Sequence, residues 1–469
     1  MAKETQTGRV MEGIRGRIAA RLLCAGDRLP SVRASATSFC VSPATVVEAY
    51  DRLVAEGLIE AVARSGFFVS HLAGAPQSPA ARAPQREHAI DPFWVSRQSL
   101  DFDNAKHKPG CGWLPPEWMP QNALQKALRE VSRDADLLIH YGTTAGDPVL
   151  RRQIALRFAG EGLECDPDQI LLTHSGSQAL DLICRLLLKA GDTVLLDDPC
   201  YFNYQALIAA HNVRAVSVPF TPTGPDPIRF EAIVASERPR LYITNSNLHN
   251  PTGSSLNLVT AHRLPGIAAA HGMVIVEDDI FADFAPGVPT MAALDGLSGV
   301  IRIGSFSKSL SAALRCGYIA ARPEWIEALS DLQLATGFGG PSPVATGAIS
   351  RVLAGGGFRR HMEDLRRKLT RVRSDLTHRL ADLGIIPQGE PVGGFALWCR
   401  LPEGVDSAAL ARRCLAQEVV IAPGNVFSPS QSAGAFMRCN VAQTSDYALD
   451  VIGSALQAEL TESRSWETA

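Results

Sequence analysis

The sequence has no long apolar run. Its longest apolar stretches, such as the one around residues 182–188, are interrupted by Arg185 and Lys189, well short of the roughly 20 residues that a membrane span needs. The first residues, MAKETQTGRVMEGIRGR, lack the apolar core that signal peptides have. We therefore expect a cytoplasmic protein that makes no contact with a membrane.

Closely spaced cysteines are also missing. Ten cysteines are scattered between Cys24 and Cys439 without a C-x-x-C pair and without a nearby cluster of cysteine and histidine. This spacing supports neither a metal site nor a disulfide framework. We expect no bound metal, and most of the cysteines should be reduced residues of the core.

Excess charge and low-complexity tracts are scarce as well. The formal net charge is -3, with 46% hydrophobic and 20% charged residues, so neither disorder nor a fibrous chain is indicated. Residues 1–72 hold nine basic and seven acidic side chains, an excess too small to indicate binding to nucleic acid by itself. The composition is that of a folded, globular protein.

The chain divides into two unequal parts. Residues 72–92 are rich in alanine and proline and have no helical or strand periodicity, which predicts a solvated, semi-extended connector. We therefore place an N-terminal domain at residues 1–72, a linker at residues 73–97 and a large domain at residues 98–469.

Short apolar runs in the large domain alternate with segments of helical length. Six of them read as strands: ILLTHS, TVLLDDP, RAVSVPF, RLYITNS, MVIVEDD and VIRIGSF. Buried strands that alternate with helices form mostly parallel sheets covered on both faces. The predicted fold class of this domain is α/β, with a doubly wound sheet.

The N-terminal domain has the pattern of a helix-turn-helix with a wing. Ser42 followed by Pro43 offers an N-cap and a proline at the first helical position, and an amphipathic segment precedes them at residues 30–39. A hairpin is predicted around residues 64–66. The first helix of the domain should bury Ile14, Ile18, Leu22 and Leu23.

Residues 26–69, from GDRLPSVR to GLIEAVARSGFFV, resemble the GntR-type winged helix over their whole length. The resemblance implies binding to double-stranded DNA. Arg33, Ser42, Thr45 and Arg64 would contact phosphates or bases, and Ser31 would anchor a helix on the DNA backbone. The alternative for Arg33 and Arg64 is that both are ordinary solvated surface residues.

A lysine with hydroxyl neighbours follows the last of the six strands. In GSFSKSLSAALRCGY, residues 304–318, Lys308 has Ser305 and Ser307 beside it, and Arg315 follows seven residues later. Such a lysine can form a Schiff base with an aldehyde cofactor, while two hydroxyls and a guanidinium can hold the cofactor's phosphate. Alone, the motif also fits a surface lysine after a strand.

Three further motifs lie at the carboxyl ends of predicted strands, where open α/β sheets bind ligands. NPTG at residues 250–253 follows LYITNSN, and EDD at residues 277–279 ends MVIV, where a carboxylate can pair with a protonated pyridine nitrogen. THSGSQ starts a helix whose N-H groups can bind a phosphate. Together the motifs favour a cofactor site over a surface lysine.

From about residue 100 to residue 455 the chain resembles fold-type I aminotransferases, and the pairing with a GntR-type domain is that of the MocR family. The resemblance implies pyridoxal 5'-phosphate bound to Lys308 in a homodimer that completes each site. It also implies roles at the cofactor ring, where Asp278 pairs with the ring nitrogen, Asn250 bonds the phenolic oxygen and Tyr201 stacks on the ring. The residues implied at the phosphate are Ser177, Gln178, Ser305, Ser307 and Arg315, together with Tyr141, which reaches the phosphate in the neighbouring subunit. Arg438 would bind the carboxylate of a small-molecule ligand through two hydrogen bonds.

Four of these assignments have alternatives. Asp279 could replace Asp278, because neighbouring residues on a strand point to opposite faces. Tyr201 and Tyr141 could be core aromatics of their own subunit. Arg438 could serve an internal ion pair.

One position departs from the family pattern. Where many relatives have a tyrosine whose hydroxyl also bonds the phenolic oxygen, EDDIFADF has Phe281. Loss of that bond should raise the basicity of the lysine-bound cofactor, which puts efficient catalysis in doubt but not cofactor binding. GGFALW, residues 393–398, matches a strand that lines the substrate pocket in relatives, although ordinary strand packing would also account for Phe395 and Trp398.

Three functions are compatible with these residues. The leading hypothesis is a transcription regulator in which an amine or amino acid binds at the cofactor and shifts the arrangement of the DNA-binding heads. One alternative is a working aminotransferase, in which Lys308 moves the proton between the substrate and the cofactor. The other is a regulator whose effector is pyridoxal phosphate itself.

Overall fold

A computed structural model describes residues 5–20, 22–63, 65–70, 92–100 and 107–467. The chain separates into two compact units, Met1–Glu87 and His88–Ala469. Each unit has a hydrophobic core of its own. The first unit is called the head below, and the second the large domain.

Within its described residues, the head contains three helices and a hairpin. They are α1 (Gln6–Ala19), α2 (Val32–Phe39), α3 (Pro43–Ala55), β1 (Ile59–Val62) and β2 (Gly66–Val69). Each helix begins at a side-chain cap: Thr5, Ser31 and Ser42 accept hydrogen bonds from the peptide N-H groups of Gly8, Ala34 and Thr45. The predicted helix-turn-helix with its wing is therefore present.

The buried face of α1 differs from the predicted one. Val10, Met11 and Ile14 are buried, whereas Leu22 is 74% exposed. Because α1 ends at Ala19, Leu22 follows the helix and cannot continue its apolar face. The prediction for Leu22 was wrong because it extended the helical period past the end of the helix.

The large domain is built from helices packed around strands. Its helices are α4 (Pro92–Leu100), α5 (Gln121–Val131), α6 (Ala135–Ile139), α7 (Pro148–Gly160), α8 (Gly176–Leu187), α9 (Phe202–Ala210), α10 (Pro227–Glu237), α11 (Leu258–Ala270), α12 (Met291–Asp295), α13 (Pro323–Gly337), α14 (Pro343–Ala354), α15 (Gly357–Asp382), α16 (Ser407–Ala416) and α17 (Asp446–Glu467). Its strands are β3 (Ile170–Thr173), β4 (Thr193–Asp198), β5 (Arg214–Thr221), β6 (Gly224–Pro225), β7 (Leu241–Thr244), β8 (Val274–Asp278), β9 (Val300–Ser305), β10 (Gly317–Ala320), β11 (Ile386–Pro387), β12 (Ala396–Arg400), β13 (Ala422–Pro423) and β14 (Phe436–Asn440).

Eight strands form the central sheet, in the order β3-β10-β9-β8-β7-β4-β5-β6. The pairs from β5 through β4, β7 and β8 to β9 are all parallel. The six predicted strands are all present, and the α/β fold class with its mostly parallel sheet is confirmed. The parallel strands end on the same edge of the sheet, which brings the residues that follow them together.

Strand β10 was not predicted. It is only four residues long and runs antiparallel between β3 and β9. A second sheet of four short strands, β11-β12-β14-β13, lies in the C-terminal part of the chain. Its longest pair joins β12 to β14 and places Trp398 opposite Arg438.

Helix α4 contains residues that sequence reasoning assigned to the linker. It begins at Pro92, so residues 92–97 of the assigned linker are helical. Trp94 and Val95 are buried and belong to the core of the large domain. The apolar pair was overlooked because the alanine and proline content of the preceding residues dominated the pattern.

The accessible thiols of the chain lie in the head. Cys24 and Cys40 are exposed, Cys165 is half-buried, and the other seven cysteines are buried. Burial raises the pKa of the Cys165 thiol to about 11 and that of the Cys184 thiol to about 12. Among the helices of the described residues, none is both long and apolar enough to cross a membrane.

Candidate functional site

Lys308 lies just beyond the carboxyl end of β9, in the turn that leads back into β10. Its side chain is half-buried, and Nζ donates a hydrogen bond of 2.7 Å to the carbonyl oxygen of Gly112. Burial and the nearby positive charge of Arg438 lower the pKa of Lys308 to about 8. A larger share of this amine is therefore neutral, and hence nucleophilic, than in an ordinary lysine.

The two carboxylates at the end of β8 face different surroundings. Asp278 accepts a hydrogen bond of 2.8 Å from the hydroxyl of Tyr204 and is close enough to Lys308 for that charge to affect its pKa. Asp279 forms a buried ion pair with Arg302. Of the two, Asp278 is the carboxylate that shares a site with Lys308, and Asp279 belongs to a separate buried network.

Burial favours the protonated form of Asp278. It raises the pKa of this carboxyl to about 6, although the hydrogen bond from Tyr204 opposes the rise by stabilising the charged form. Sequence reasoning missed Tyr204. The available signal was its spacing of three residues from Tyr201, the residue just before α9, which puts both tyrosines at the N-terminal end of that helix.

Arg438 and Asn250 are in direct contact. Arg438, on β14, donates to Asn250 Oδ1 (2.7 Å) and to the carbonyl oxygen of Gly110 (2.6 Å). Asn245 links Asn250 to the end of β8, because its Oδ1 accepts from the Asn250 N-H and its Nδ2 donates to the Asp278 carbonyl oxygen. The acceptors of the buried Arg438 guanidinium are thus an amide and a peptide carbonyl, and not the carboxylate of an internal ion pair.

The segment that carries Gly110 and Gly112 was also missed. A side chain at Gly110 would meet Ala422 N at 2.3 Å and Ile421 C at 2.4 Å, so only glycine fits against the strand β13. This close approach places the carbonyl groups of Gly110 and Gly112 against Arg438 and Lys308. The two glycines around Cys111 were the signal that could have identified the segment.

Tyr201 lies between β4 and α9, close to the residues just described. It is half-buried, and burial raises the pKa of its hydroxyl, with Arg438 and Asp278 both near enough to contribute. Its ring contacts the ring of Tyr204 edge to face, with 5.3 Å between the centroids. The structure therefore brings Lys308, Asp278, Asn250, Arg438 and Tyr201 together.

The residues expected at the phosphate are only partly assembled. The Ser305 hydroxyl is 2.9 Å from Ser307 Oγ, and Ser305 also lies beside the first residue of α8, Gly176. Arg315 is near enough to Lys308 to lower its pKa further. Ser177 is exposed, and the Gln178 Oε1 atom accepts from the N-H of His174 at 2.7 Å.

Tyr141 and Phe281 lie in contrasting surroundings. Tyr141 is 82% exposed and contacts only the edge of Phe338 among the aromatic rings of the described residues, so it is not a core residue of its own subunit. Phe281 is buried and packs against Phe284 and Phe395. The ring of Phe281 thus lies in an apolar cluster and offers no hydroxyl.

The residues expected to contact DNA lie at the starts of α2 and α3. Ser31 and Ser42 are exposed but also cap these helices, and Ser42 Oγ is 2.8 Å from the hydroxyl of Thr45. Arg33 is exposed on the first turn of α2. Arg64 lies outside the described residues.

Comparisons with known proteins agree with this two-part structure. Residues 114–456 match the family of class I and II aminotransferases, and residues 6–69 match bacterial regulatory proteins of the gntR family. The uncharacterized HTH-type transcriptional regulator YdcR of Escherichia coli (strain K12) is 27% identical over 96% of this chain and 98% of its own length. A 2-aminoadipate transaminase of Thermus thermophilus is 31% identical, over 68% of this chain and 81% of its own.

A solved structure supports the same relationship. The α-aminoadipate aminotransferase LysN of Thermus thermophilus, complexed with N-(5'-phosphopyridoxyl)-L-leucine, matches with a TM-score of 0.71 and 27% identity, over 78% of this chain and 95% of its own. Pyridoxal 5'-phosphate is the cofactor of this family. The chain belongs to the class I and II aminotransferases and, with the gntR domain at its N-terminus, to the MocR type of transcription regulator.

Proposed function

We propose that this chain is a transcription regulator whose large domain binds pyridoxal phosphate at Lys308 and senses an amine or an amino acid there. One observation carries the proposal: Lys308, Asp278, Asn250 and Arg438 meet at one edge of the central sheet in a chain that also has a gntR domain. The head would bind double-stranded DNA, and the ligand of the large domain would control that binding.

The residues around Lys308 fit the cofactor. The partly neutral Lys308 amine can attack its aldehyde carbon, Asp278 can hold a proton on its ring nitrogen, and Asn250 can donate to its phenolic oxygen. Ser305, Ser307 and the N-terminus of α8 offer hydroxyl and N-H groups for its phosphate. When bound, the cofactor withdraws electrons from the α-carbon of an attached amine.

Arg438 supports an amino acid as the ligand. Its guanidinium is buried and pairs with no carboxylate of the described residues, and burial lowers its pKa because the charged form is costly there. A ligand carboxylate that accepts two parallel hydrogen bonds from it would relieve this cost. The same carboxylate would stay close to Lys308, where the amine of the ligand reacts.

A homodimer is part of the proposal. Four large apolar side chains around α6 and the end of α13 are exposed on the single chain: Leu138, Ile139, Tyr141 and Phe338, at 53, 77, 82 and 70%. Apolar groups so exposed are typical of an interface. In a dimer, Tyr141 would reach the phosphate of the neighbouring subunit's cofactor, and two heads would face paired DNA half-sites.

Aminotransferase activity is the second candidate function. The 31% identity to a transaminase and the presence of Lys308, Asp278 and Arg438 in one site favour it. The apolar surroundings of Phe281 count against efficient turnover, because no hydroxyl there can help to control the protonation of the lysine-bound cofactor. A third candidate is a regulator that responds to pyridoxal phosphate alone.

A spectroscopic titration separates the three candidates. The purified protein is loaded with pyridoxal phosphate and titrated with amino acids and amines, while its visible band and the release of 2-oxo acid are followed. We expect one compound to shift the band persistently without releasing oxo acid and to change DNA binding. Steady release of oxo acid would identify an enzyme, and DNA binding that responds only to the cofactor would support the third candidate. Absence of a cofactor band would contradict the proposal.

Variants of Arg438 test the ligand class. We expect Arg438→Met to lose affinity for the amino acid by about a hundredfold, since a bidentate charged contact disappears, while cofactor binding stays. Arg438→Lys keeps the positive charge but not the two parallel N-H donors of the guanidinium, so its affinity for the amino acid should be intermediate. Arg413→Gln, which removes a surface arginine paired with Glu459 and Glu462, is the control. Equal affinity in all variants would show that no ligand carboxylate binds at Arg438.

A further inference from the structure

A second pocket of the large domain lies beside α15. It has a volume of about 330 Å³ and is formed by one face of α15 and two loops, at residues 284–288 and 392–394. Its lining is Phe284, Ala285, Pro286, Val288, Arg366, Leu369, Thr370, Arg373, Val392, Gly393 and Gly394. None of these residues takes part in the site around Lys308, so the pocket needs a separate explanation.

Two arginines in this pocket are held by peptide carbonyl groups. Arg366 Nη1 donates to the carbonyl oxygen of Asp283 at 3.0 Å. Arg373 Nη1 donates to the carbonyl oxygens of Gly393 and Gly394 at 2.8 and 3.0 Å. These bonds orient the two guanidinium groups, and neither group forms an ion pair with an acidic side chain of the part of the chain that the structure describes.

Three of the other five arginines of the same helix have acidic partners. Arg359 pairs with Glu363, Arg367 with Asp364, and Arg379 with Asp446. By contrast, the pocket lining contains no acidic side chain, and burial alone lowers the pKa of Arg373. The pocket therefore concentrates two positive charges where each would gain most from an anion.

The spacing of the two arginines suits a shared ligand. Seven residues separate them, which is two turns of helix and about 10 Å along its axis, so both side chains start from one face of the helix, and an anion between them would compete with the carbonyl groups for both guanidinium groups. Thr370 lies on the same face between them. Phe284 and Leu369 are buried, and with Val288 and Val392 they give the pocket an apolar wall.

We infer that this pocket binds a small anion through a phosphate group, with Arg366 and Arg373 as its two charged ligands. A phosphate carries nearly two negative charges and three acceptor oxygens, which matches two guanidinium groups better than a single carboxylate does. The inference goes beyond the proposed function and does not depend on it.

The pocket is connected to the site around Lys308. Arg373 holds the Gly393–Gly394 turn, and Gly394 packs on Leu248, so closely that a side chain there would meet Leu248 Cδ1 at 3.2 Å. Leu248 precedes Asn250 by two residues, and Phe395 follows the turn and packs on Phe281. An anion that competes with the two carbonyl groups for Arg373 would therefore act on the backbone that supports Asn250.

Calorimetric titration of the full-length protein tests the inference. The protein is first loaded with pyridoxal phosphate, so that the phosphate-binding groups near Lys308 are occupied, and unbound cofactor is removed by gel filtration. It is then titrated with inorganic phosphate and with phenyl phosphate. We expect one saturable site per chain. Tighter binding of phenyl phosphate would identify an ester whose body lies on the apolar wall, and equal binding would identify phosphate alone. Failure of both probes to bind would overturn the inference.

Matched variants locate the site. Arg366→Gln and Arg373→Gln should each raise the Kd by about tenfold or more, because each removes a charge-assisted contact, and Arg373→Lys should restore part of the affinity. Arg367→Gln removes the same charge from the same helix outside the pocket and should leave the Kd unchanged. Unchanged binding in both Arg366→Gln and Arg373→Gln would overturn the inference, and Arg366→Gln alone decides the matter if Arg373→Gln does not fold.

Discussion

Single residues set the reactivity of the site, and Lys308 sets most of it. With a pKa of about 8, about a tenth of its amine is neutral at pH 7, roughly 300 times the fraction in an ordinary lysine. The first cause is burial, which disfavours the charged form, and the second is Arg438, which repels it. Both act in the direction that favours attack on an aldehyde.

We predict that the rate of cofactor capture follows this pKa. After apoprotein is mixed with pyridoxal phosphate, the rate at which the visible band forms should rise with pH and level off above about 8. In Arg438→Met a positive neighbour is gone, so the pKa of Lys308 should rise and the midpoint should move to higher pH. A midpoint near 10.5, the ordinary value for a lysine, in the wild type would contradict the assigned surroundings.

Tyr204 should adjust the charge of Asp278. Its hydrogen bond stabilises the carboxylate and lowers the pKa, so in Tyr204→Phe the pKa of Asp278 should rise above its present value of about 6. We expect the acid limb of the curve of cofactor affinity against pH to move to higher pH, and affinity at neutral pH to fall about tenfold, as expected for the loss of one hydrogen bond to a charged group.

The control for this prediction is Tyr242→Phe. Tyr242 is also buried and donates to a carboxylate, that of Asp197, at 2.6 Å. Loss of the Tyr242 hydroxyl should lower the free energy of unfolding by about 1 to 3 kcal/mol, but it should not move the curve of cofactor affinity against pH. If both variants moved the curve equally, Tyr204 would have only a structural role.

Sequence reasoning reached most of the residues in the site but not their orientation. Lys308, Asn250 and Arg438 follow from motifs, whereas the choice between Asp278 and Asp279 requires knowing that Arg302 takes up the second carboxylate. Gly110 and Gly112 act through backbone carbonyl groups. Every residue type has such a group, so the sequence does not show which carbonyl groups line the site. Their contacts span long stretches of chain, which no local pattern encodes.

At the scale of elements, α3 carries the test of DNA contact. Ser42 is both its N-cap and a predicted DNA contact, and the two roles can be separated. Ser42→Ala should cost the head about 1 kcal/mol, whereas Ser42→Asp keeps a cap and adds a negative charge. If Ser42 contacts a DNA phosphate, Ser42→Asp should fold normally and bind DNA about tenfold more weakly.

Thermal unfolding and fluorescence anisotropy, with DNA selected from a random library, measure the two effects. Thr5→Asp is the control, because Thr5 caps α1 in the same way and is not expected to contact DNA. Normal DNA binding by Ser42→Asp would leave Ser42 with its capping role alone.

Elements with strong local signals were predicted, and those fixed by distant partners were not. The six predicted strands are apolar runs separated by segments of helical length, and α3 has both an N-cap and a proline at its start. Strand β10 has four residues and owes its place to pairing with β3 and β9. The end of α1 and the end of the linker were misplaced for a similar reason, because tertiary packing decides where a weak local pattern stops.

At the scale of the whole molecule, the position of Tyr141 predicts sites shared between subunits. A heterodimer of one Lys308→Ala chain and one Tyr141→Ala chain contains one site with both wild-type residues. We expect that site to bind pyridoxal phosphate with wild-type affinity, whereas the Tyr141→Ala homodimer binds it weakly. Differently tagged chains allow the heterodimer to be isolated and its cofactor affinity measured by fluorescence.

The comparison with the two homodimers decides the outcome. Cofactor affinity in the heterodimer no higher than in the Tyr141→Ala homodimer would mean that Tyr141 serves its own chain or has no role at the phosphate. If light scattering gave the molar mass of a monomer, that result would directly contradict a site shared between two subunits.

The positions of the native cysteines allow probes to be attached to the heads without any substitution. A maleimide reacts with accessible thiolates, so Cys24 and Cys40 should be labelled, while the seven buried thiols and the half-buried Cys165, whose pKa is raised to about 11, stay unmodified at neutral pH. Spin labels attached there would sit on the heads alone, and dipolar spectroscopy would then measure the separation of the two heads in a dimer before and after the effector is added. No residue has to be replaced for that measurement, so the distance distribution would be that of the native regulator.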